Sequence, residues 1–190
     1  MLLSGKIKFI GYNTEISLRQ SKSMTDKNLR NNVMAFIFDE SARILIWKYN
    51  SPKPSWTFPK WWLNENEDEI EWLFREIREE LDIQESELEL VHVHHKPIIK
   101  YFTDEEIEWK IKNKWEYFIW KSEKVFMLEF IWNTDYIDTS KTNELSGYKF
   151  ISFNELKDFM KEDIINFLLE QTSEEIMNKH LEQKNFTIDK

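Results

Sequence analysis

The segment Trp61–Ile83, WWLNENEDEIEWLFREIREELDI, decides how the rest of the chain is interpreted. Its apolar residues recur at the spacing of one helical face, which predicts a helix over roughly Asp68–Leu81. Three carboxylates, Glu76, Glu79 and Glu80, follow at i, i+3 and i+4 and project within about 100° of arc beside that face. The helix is therefore expected to pack on one side and to present three carboxylates on the adjacent side.

This carboxylate triplet has the composition of a site for a hard cation. Three neighbouring carboxylates repel one another unless a positive charge neutralises them. Ligands that are all oxygens favour Mg²⁺ or Mn²⁺, which keep bound waters and bind substrate phosphates. Arg75 precedes the triplet and can pair with one carboxylate to fix its orientation. From the spacing alone, an ordinary solvated acidic face remains the commoner explanation.

The acidity of the chain is concentrated in the same region. The formal net charge is −9, yet residues 65–89 hold 12 acidic and two basic side chains and leave the rest nearly neutral. Cysteine is absent, which excludes disulfides and thiolate metal sites, and only three glycines occur, which excludes glycine-rich phosphate loops. No apolar run approaches the length of a membrane span, so we expect a soluble, cytoplasmic protein without a membrane partner.

The remaining patterns predict an α/β (α+β) fold with a mixed sheet between helical layers. Apolar runs at Val33–Phe38 and Arg43–Trp47 predict a hairpin. Further elements are expected as strands at 88–94, 124–132 and 148–151, a short helix within 102–113, and two closing helices behind capping boxes at Ser152 and Thr172.

Three parts of the chain are expected to differ in organisation. Residues 1–29 form a weakly patterned N-terminal extension with one plausible strand at Lys6–Ile10. Residues 30–165 form the main domain, and residues 166–190 form a C-terminal helical tail. The sequence does not indicate an oligomeric state.

The charged residues of the opening segment belong to a longer pattern with fixed spacing. Glu67 is followed after seven residues by the run from Arg75 to Glu80, REIREE, and then by Leu81, Asp82 and Ile83. This pattern resembles the Nudix box, G-x5-E-x7-R-E-U-x-E-E-x-G-U, where U is aliphatic. Every charged position matches, whereas Trp61 and Asp82 stand where the box has glycine.

Segments outside the box are similar to one branch of this family. Trp56–Lys60, WTFPK, resembles the W-x-F-P-K/Q segment that precedes the box in RNA pyrophosphohydrolases and dinucleoside-polyphosphate hydrolases. The segments that begin at Arg30 (RNNV), Trp120 (WKSEKVF) and Asn143 (NEL) are similar to the corresponding segments of the RNA pyrophosphohydrolase branch.

The resemblance implies a Nudix-type α/β/α sandwich that hydrolyses a nucleoside diphosphate linked to another group, with Mg²⁺, or Mn²⁺, as the cofactor. The implied metal ligands are Glu76, Glu79, Glu80 and the backbone carbonyl of Trp61. Arg75 would orient a box carboxylate, Glu67 would support the loop, and Glu144 is a candidate for an additional carboxylate that binds metal or activates water. Candidate substrate-binding residues, with an ordinary surface or core role as the alternative, are Lys60, Arg30, Lys121, Lys124 and Tyr101.

The branch similarity predicts a pyrophosphohydrolase that removes pyrophosphate or phosphate from 5′-triphosphorylated RNA ends. A dinucleoside polyphosphate (Ap4A-type) or other nucleotide-diphosphate hydrolase is the first alternative. A non-catalytic Nudix-fold binding module is the second. The intact carboxylates argue against this module, whereas the missing glycines argue for it.

Tryptophan stands at four positions where the family pattern carries glycine: Trp61, Trp62, Trp120 and Trp132. The chain has 3 glycines beside 9 tryptophans. Because a Cβ atom disfavours positive φ, a tryptophan in a tight turn is expected to be strained. We hypothesise that UGA codons, which some bacterial lineages read as glycine, have been translated as tryptophan. UGG codons at these four positions would refute the hypothesis.

Overall fold

The computed structural model describes residues 29–52, 54–64, 67–114, 118–131, 137 and 144–188. The predicted strand at Lys6–Ile10 and Trp132 lie outside these residues. The chain divides into two compact units, which are described separately: one contains residues 29–31 and 99–122, and the other contains residues 32–98 and 123–190.

The described residues form an eight-stranded sheet, and the architecture is mixed α/β as predicted. The strands are β1 (Leu29–Asp39), β2 (Ile44–Tyr49), β3 (Trp56–Thr57), β4 (Lys60–Trp62), β5 (Leu88–Val93), β6 (Ile98–Tyr101), β7 (Trp120–Phe130) and β8 (Leu145–Ile151). Their order is β3-β2-β1-β7-β5, and β4 pairs with β1, β6 with β7 and β8 with β2. The predicted hairpin is confirmed, because β1 and β2 pair antiparallel with Phe38 opposite Ile44.

The described helices are α1 (Glu69–Leu81), α2 (Asp104–Lys114), α3 (Glu162–Glu170) and α4 (Ser173–Ile188). The capping box at Ser152 begins a short 3-10 helix, Phe153–Asp158, rather than a long α-helix. A capping box satisfies the first turn but does not set the length of the helix that follows. No helix in the described part of the chain is long and apolar enough to cross a membrane. The predicted boundary at 165/166 falls inside α3, and the domain division stays a prediction.

Strand β1 shows how the layers form. Its residues alternate between two buried clusters, as side chains on a strand do. Val33, Ala35 and Ile37 pack in the cluster that contains Leu73 and Ile77 of α1. The intervening residues, Met34, Phe36 and Phe38, pack in the cluster that contains Leu168 of α3 and Met177 of α4. The sheet therefore carries α1 on one face and the C-terminal helices on the other.

Helix α1 is fixed at both ends by aspartates. The Asp68 carboxylate accepts hydrogen bonds from the backbone N–H groups of Ile70 and Glu71 at 2.9 and 3.1 Å. Asp82 ends the helix in the left-handed conformation at φ 56°, and its N–H donates to the Arg78 carbonyl. Aspartate tolerates this conformation better than most residues, so the helix end forms without the glycine of the family pattern.

The tryptophans at the glycine positions do not occupy strained turns. Trp61 and Trp62 lie in β4, where Trp61 pairs with Val33. Trp120 opens β7, and none of these three residues has a positive φ. The expectation of strain is therefore wrong at these positions, because an extended backbone accepts a Cβ atom. The codon hypothesis itself stays untested.

Candidate active site

Arg75 organises the carboxylate face of α1. Its guanidinium lies 3.3 Å from a carboxylate oxygen of Glu76, 3.7 Å from one of Glu79 and 4.0 Å from one of Glu67. The same guanidinium stacks 3.9 Å from the centroid of the Trp72 ring. The structure thus brings Glu67, Arg75 and two of the triplet carboxylates into contact.

Glu80 is the member of the triplet that has no contact with Arg75. Burial raises the pKa of Glu80 to about 7, and repulsion by Glu144, Glu76 and Glu79 adds to this rise. Among the described residues, no lysine or arginine lies within ion-pair distance of the Glu80 carboxylate. Burial also raises the pKa of Glu76, although Arg75 opposes the change. The cluster therefore holds more negative charge than the described side chains neutralise.

Glu144 lies in the loop before β8, close enough to affect this cluster. Its backbone carbonyl accepts a hydrogen bond from the Asn50 N–H at 2.6 Å, while the residue is exposed. The Glu144 carboxylate raises the pKa of both Glu76 and Glu80 through repulsion. The loop therefore adds a fourth negative group to the helix face, and its catalytic role stays a prediction.

Trp61 forms an apolar wall beside Glu80. Its side chain is 6% exposed and meets Trp47 edge to face, with ring centroids 5.3 Å apart. The indole N–H lowers the pKa of Glu80, but it makes no hydrogen bond of normal geometry within the described residues. Because an indole N–H is a hydrogen-bond donor only, this atom can bind an oxygen of a bound group but cannot ligate a cation.

The oxygen-rich donor set of this cluster fits a hard divalent cation. The side chains that could hold one are Glu76, Glu79 and Glu80, and their excess negative charge is what such a cation neutralises. Within the part of the chain that the structure describes, their carboxylate oxygens do not converge within 4.8 Å of one another, as the ligand atoms of Glu89, Glu129 and His180 do. The participation of the Trp61 carbonyl stays a prediction.

Two predicted phosphate ligands, Lys60 and Lys124, are already paired with carboxylates. Lys60 Nζ lies 3.6 Å from the carboxylate of buried Glu123. Lys124 forms an ion pair with Glu69 at the first turn of α1. Binding of a phosphate by either lysine would therefore require the lysine to share or exchange its carboxylate partner.

The other predicted substrate-binding residues belong to the unit of residues 99–122 and 29–31. Arg30 places its guanidinium 4.8 Å from the centroid of the Phe118 ring. Tyr101 is 70% exposed and stacks on Trp120 at an interplanar angle of 23°. Lys121 lines a cleft of this unit. Their roles in substrate binding stay predictions.

Sequence reasoning missed Tyr49 and Glu123. The Tyr49 hydroxyl donates a hydrogen bond to the Lys60 carbonyl at 3.4 Å. Burial, together with repulsion by Glu80, Glu144 and Glu123, raises the pKa of Tyr49. Tyr49 is therefore a protonated donor next to the carboxylates. No motif marks Tyr49, whereas an acid within the apolar strand β7 is a signal that could have identified Glu123.

A second cluster of metal-ligand type lies on β5, β7 and α4. Glu89, Glu129 and His180 each place one ligand atom within 4.8 Å of the others. His180 Nε2 and Lys184 Nζ both lie 2.7 Å from one oxygen of the buried Glu129 carboxylate. Lys184 Nζ also lies 3.6 Å from Glu89. This cluster contains its own cation and connects α4 to the sheet.

Comparison with known proteins identifies the family. The model of the NUDIX domain matches residues 28–171. A Caenorhabditis elegans Ap4A hydrolase is similar with 19% identity and a TM-score of 0.57, over 78% of this chain and 98% of that chain. An Escherichia coli dihydroneopterin triphosphate pyrophosphohydrolase is similar with 16% identity and a TM-score of 0.59, over 74% and 92%.

A MutT protein from Methanosarcina mazei Go1 is similar with 16% identity and a TM-score of 0.56, over 79% of this chain and 97% of that chain. No curated protein matches the chain. At these identities the solved structures show the fold, while the domain match covers most of the chain and includes the whole carboxylate face. The chain belongs to the Nudix family and is a hydrolase of the class that cleaves nucleotide pyrophosphate bonds.

Proposed function

We propose that this protein is a Mg²⁺-dependent pyrophosphohydrolase that removes pyrophosphate or phosphate from 5′-triphosphorylated RNA ends. The observation that carries the proposal is the crowding of negative charge at Glu76 and Glu80, whose pKa values are both raised. The segments at Arg30, Trp120 and Asn143, which resemble the RNA pyrophosphohydrolase branch, support the choice of substrate. A cytoplasmic location is part of the same proposal, because a chain without cysteine is compatible with a reducing compartment.

The carboxylates of Glu76, Glu79 and Glu80, with the Trp61 carbonyl, would hold the ion, and Mn²⁺ is the alternative to Mg²⁺. When bound, the ion neutralises these carboxylates and polarises phosphate oxygens. Arg75 restrains Glu76 and Glu79 through its two contacts, so the carboxylates keep one orientation.

The neighbouring side chains have separate roles in this proposal. Glu144 is exposed beside the cluster, where its carboxylate can accept a proton from an attacking water. Tyr49 stabilises β4 by its hydrogen bond to the Lys60 carbonyl, adjacent to Trp61. Glu67 contacts the guanidinium of Arg75 from the opposite end of the box and supports its position.

A dinucleoside polyphosphate hydrolase of the Ap4A type is the second candidate. It is favoured by the WTFPK segment, which resembles both branches, and by the similarity to the C. elegans Ap4A hydrolase.

One assay separates the candidates. The purified full chain with Mg²⁺ is given either a 5′-triphosphorylated oligoribonucleotide or diadenosine tetraphosphate, and kcat/KM is measured for both. We expect the RNA to be the better substrate, and a higher kcat/KM for the dinucleotide would replace the first candidate by the second. Glu80→Gln is the control for contaminating hydrolases. If neither substrate is cleaved faster than by Glu80→Gln, both candidate substrates are refuted.

A further inference from the structure

The unit of residues 99–122 exposes an unusual share of large apolar side chains. Of the eight exposed large hydrophobic residues in the described part of the chain, four lie between residues 99 and 111: Ile99, Tyr101, Trp109 and Ile111. Trp109 is 56% exposed on α2. Of these four, only Trp109 lines the cleft of this unit, and an exposed aromatic side chain in a cleft is a candidate contact for a ligand.

A cleft of about 430 Å³ lies within this unit, between α2 and the strands β6 and β7. Its lining combines two aromatic rings with three lysines and two glutamates: Phe102, Trp109, Lys100, Lys110, Lys121, Glu105 and Glu106. The three lysines exceed the two glutamates, so the lining carries a formal net charge of +1.

The two glutamates serve the start of α2. The Glu106 carboxylate accepts a hydrogen bond from the Thr103 N–H at 2.9 Å, and the Thr103 hydroxyl accepts one from the Glu106 N–H at 3.2 Å. Glu105 hydrogen-bonds to its own backbone N–H and to Thr103, which lowers its pKa. Both carboxylates therefore satisfy the first turn of the helix, in the way that capping residues do.

The lysines and rings are arranged as alternating cationic and planar groups. Lys110 Nζ lies 4.5 Å from the centroid of the Phe102 ring. Lys100 reaches Glu106 only at 4.0 Å, from the strand side of the cleft. Proteins bind single-stranded nucleic acid with this combination, because bases stack on aromatic rings while lysines contact the phosphates.

We propose that this cleft binds a segment of single-stranded RNA, with a base stacked on Trp109 and the adjacent phosphates on Lys110 and Lys121. The proposal rests on the proposed function for the choice of RNA as the ligand. It adds a binding surface that is built from α2, β6 and β7 and lies outside the box, and it requires no hydrolysis.

The test uses fluorescence anisotropy of a labelled single-stranded oligoribonucleotide with a 5′-hydroxyl end, titrated with the full chain. Trp109→Ala and Lys110→Gln are each expected to weaken binding by about tenfold, the effect typical of one stacked base or one phosphate contact. The matched controls on the same helix, Ile111→Ala and Lys112→Gln, do not line the cleft and should bind like the original protein. Binding should also weaken as the salt concentration rises.

Equal affinity of all four variants would overturn the proposal, and so would the absence of binding by the original protein. A change of oligomeric state in Trp109→Ala, with RNA affinity unchanged, would instead identify a surface between copies of the chain and would also overturn it. Release of pyrophosphate or phosphate from a 5′-triphosphorylated oligoribonucleotide by the original protein, measured in parallel, separates the two proposals. If binding of the 5′-hydroxyl RNA fails while this release persists, only this inference is lost; if the release fails while the variants still weaken binding, only the proposed function is lost.

Discussion

Two groups of acidic side chains in the same unit differ in how their negative charge is neutralised. On α1, Arg75 contacts Glu76 and Glu79, whereas Glu80 lies outside its reach and keeps a raised pKa. The cluster of Glu89 and Glu129 instead receives Lys184, with Nζ 2.7 Å from Glu129 and 3.6 Å from Glu89. In the second group, a lysine of the protein neutralises the carboxylates. In the first group, part of the negative charge is not neutralised by the described side chains.

The difference separates a structural ion-pair network from a site that needs a ligand. A buried carboxylate that has a lysine partner contributes to holding the fold together, and removing the partner destabilises the protein. Carboxylates held together without sufficient cations destabilise the unliganded fold and are retained where a bound cation is used. Variants that change one cluster at a time should therefore affect activity in the first case and stability in the second.

The largest expected effect is the loss of activity in Glu80→Gln. We expect kcat with Mg²⁺ to fall about 1,000-fold, or roughly 4 kcal/mol, because a neutral amide cannot replace a charged metal ligand. The variant should be at least as stable as the original protein without metal, since glutamine carries no charge in a partly buried position. Glu71→Gln, exposed on the same helix, is the control and should keep full activity. Retained activity in Glu80→Gln would remove Glu80 from the site.

Lys184→Met should show the opposite pattern. The buried Glu129 carboxylate would lose its lysine partner and keep only the contact with His180, which costs about 3 kcal/mol in the free energy of unfolding measured with urea. Activity should be unchanged. The double variant Lys184→Met, Glu129→Met should recover most of the stability, because it removes both charges. A double variant as unstable as the sum of the single ones would show that the ion pair is not the cause.

Mg²⁺ should stabilise the folded protein through the first cluster alone. At a concentration one hundred times its Kd, the ion should raise the free energy of unfolding by about 2.7 kcal/mol. Lys184→Met should gain the same amount, whereas Glu80→Gln should gain much less. Equal stabilisation of Glu80→Gln would place the main metal site elsewhere.

The smallest expected effect is on the pH dependence of stability without metal. The pKa of Glu80 is raised to about 7 in the folded protein, so the unfolded chain releases this proton at lower pH. Stability should therefore decrease as the pH rises from the ordinary glutamate range to about 7, and should then level off. The expected decrease is about 2 kcal/mol, which is less than the full pKa shift implies because Glu80 is partly exposed to solvent. Thermal unfolding across this range would measure it. Glu80→Gln should lack this decrease, and a variant that retains it would assign the effect to another group.

Local signals in the sequence were sufficient to predict helix α1 and the face that carries its carboxylates. The apolar period and the cap at Asp68 predict the helix, which runs over Glu69–Leu81. Helical geometry alone then puts the three carboxylate positions on one side of the helix. The spacing of the box also predicts that Arg75 meets the triplet. These interactions join residues that are close in sequence, so they could be predicted without knowledge of the sheet.

Interactions between segments that are distant in sequence could not be predicted from local patterns. The position of Trp61 in a strand follows from its register against Val33, and no local pattern contains that pairing. Tyr49 and Glu123 reach the site from different strands, and neither belongs to a motif. Strand β7 also begins at Trp120 rather than at Lys124, because its first residues are polar and partly exposed while still hydrogen-bonded in the sheet.

The contact between Glu129 and Lys184 restricts which residues related sequences can carry at these two positions. Glu129 lies inside the segment that matches the family, whereas Lys184 lies beyond residue 171, where that match ends. A descendant that shortened its C-terminus would keep a buried carboxylate without its lysine, which is costly in an apolar interior. The two positions should therefore vary together across species, and lineages that lack the last helix should carry an uncharged residue at the position of Glu129.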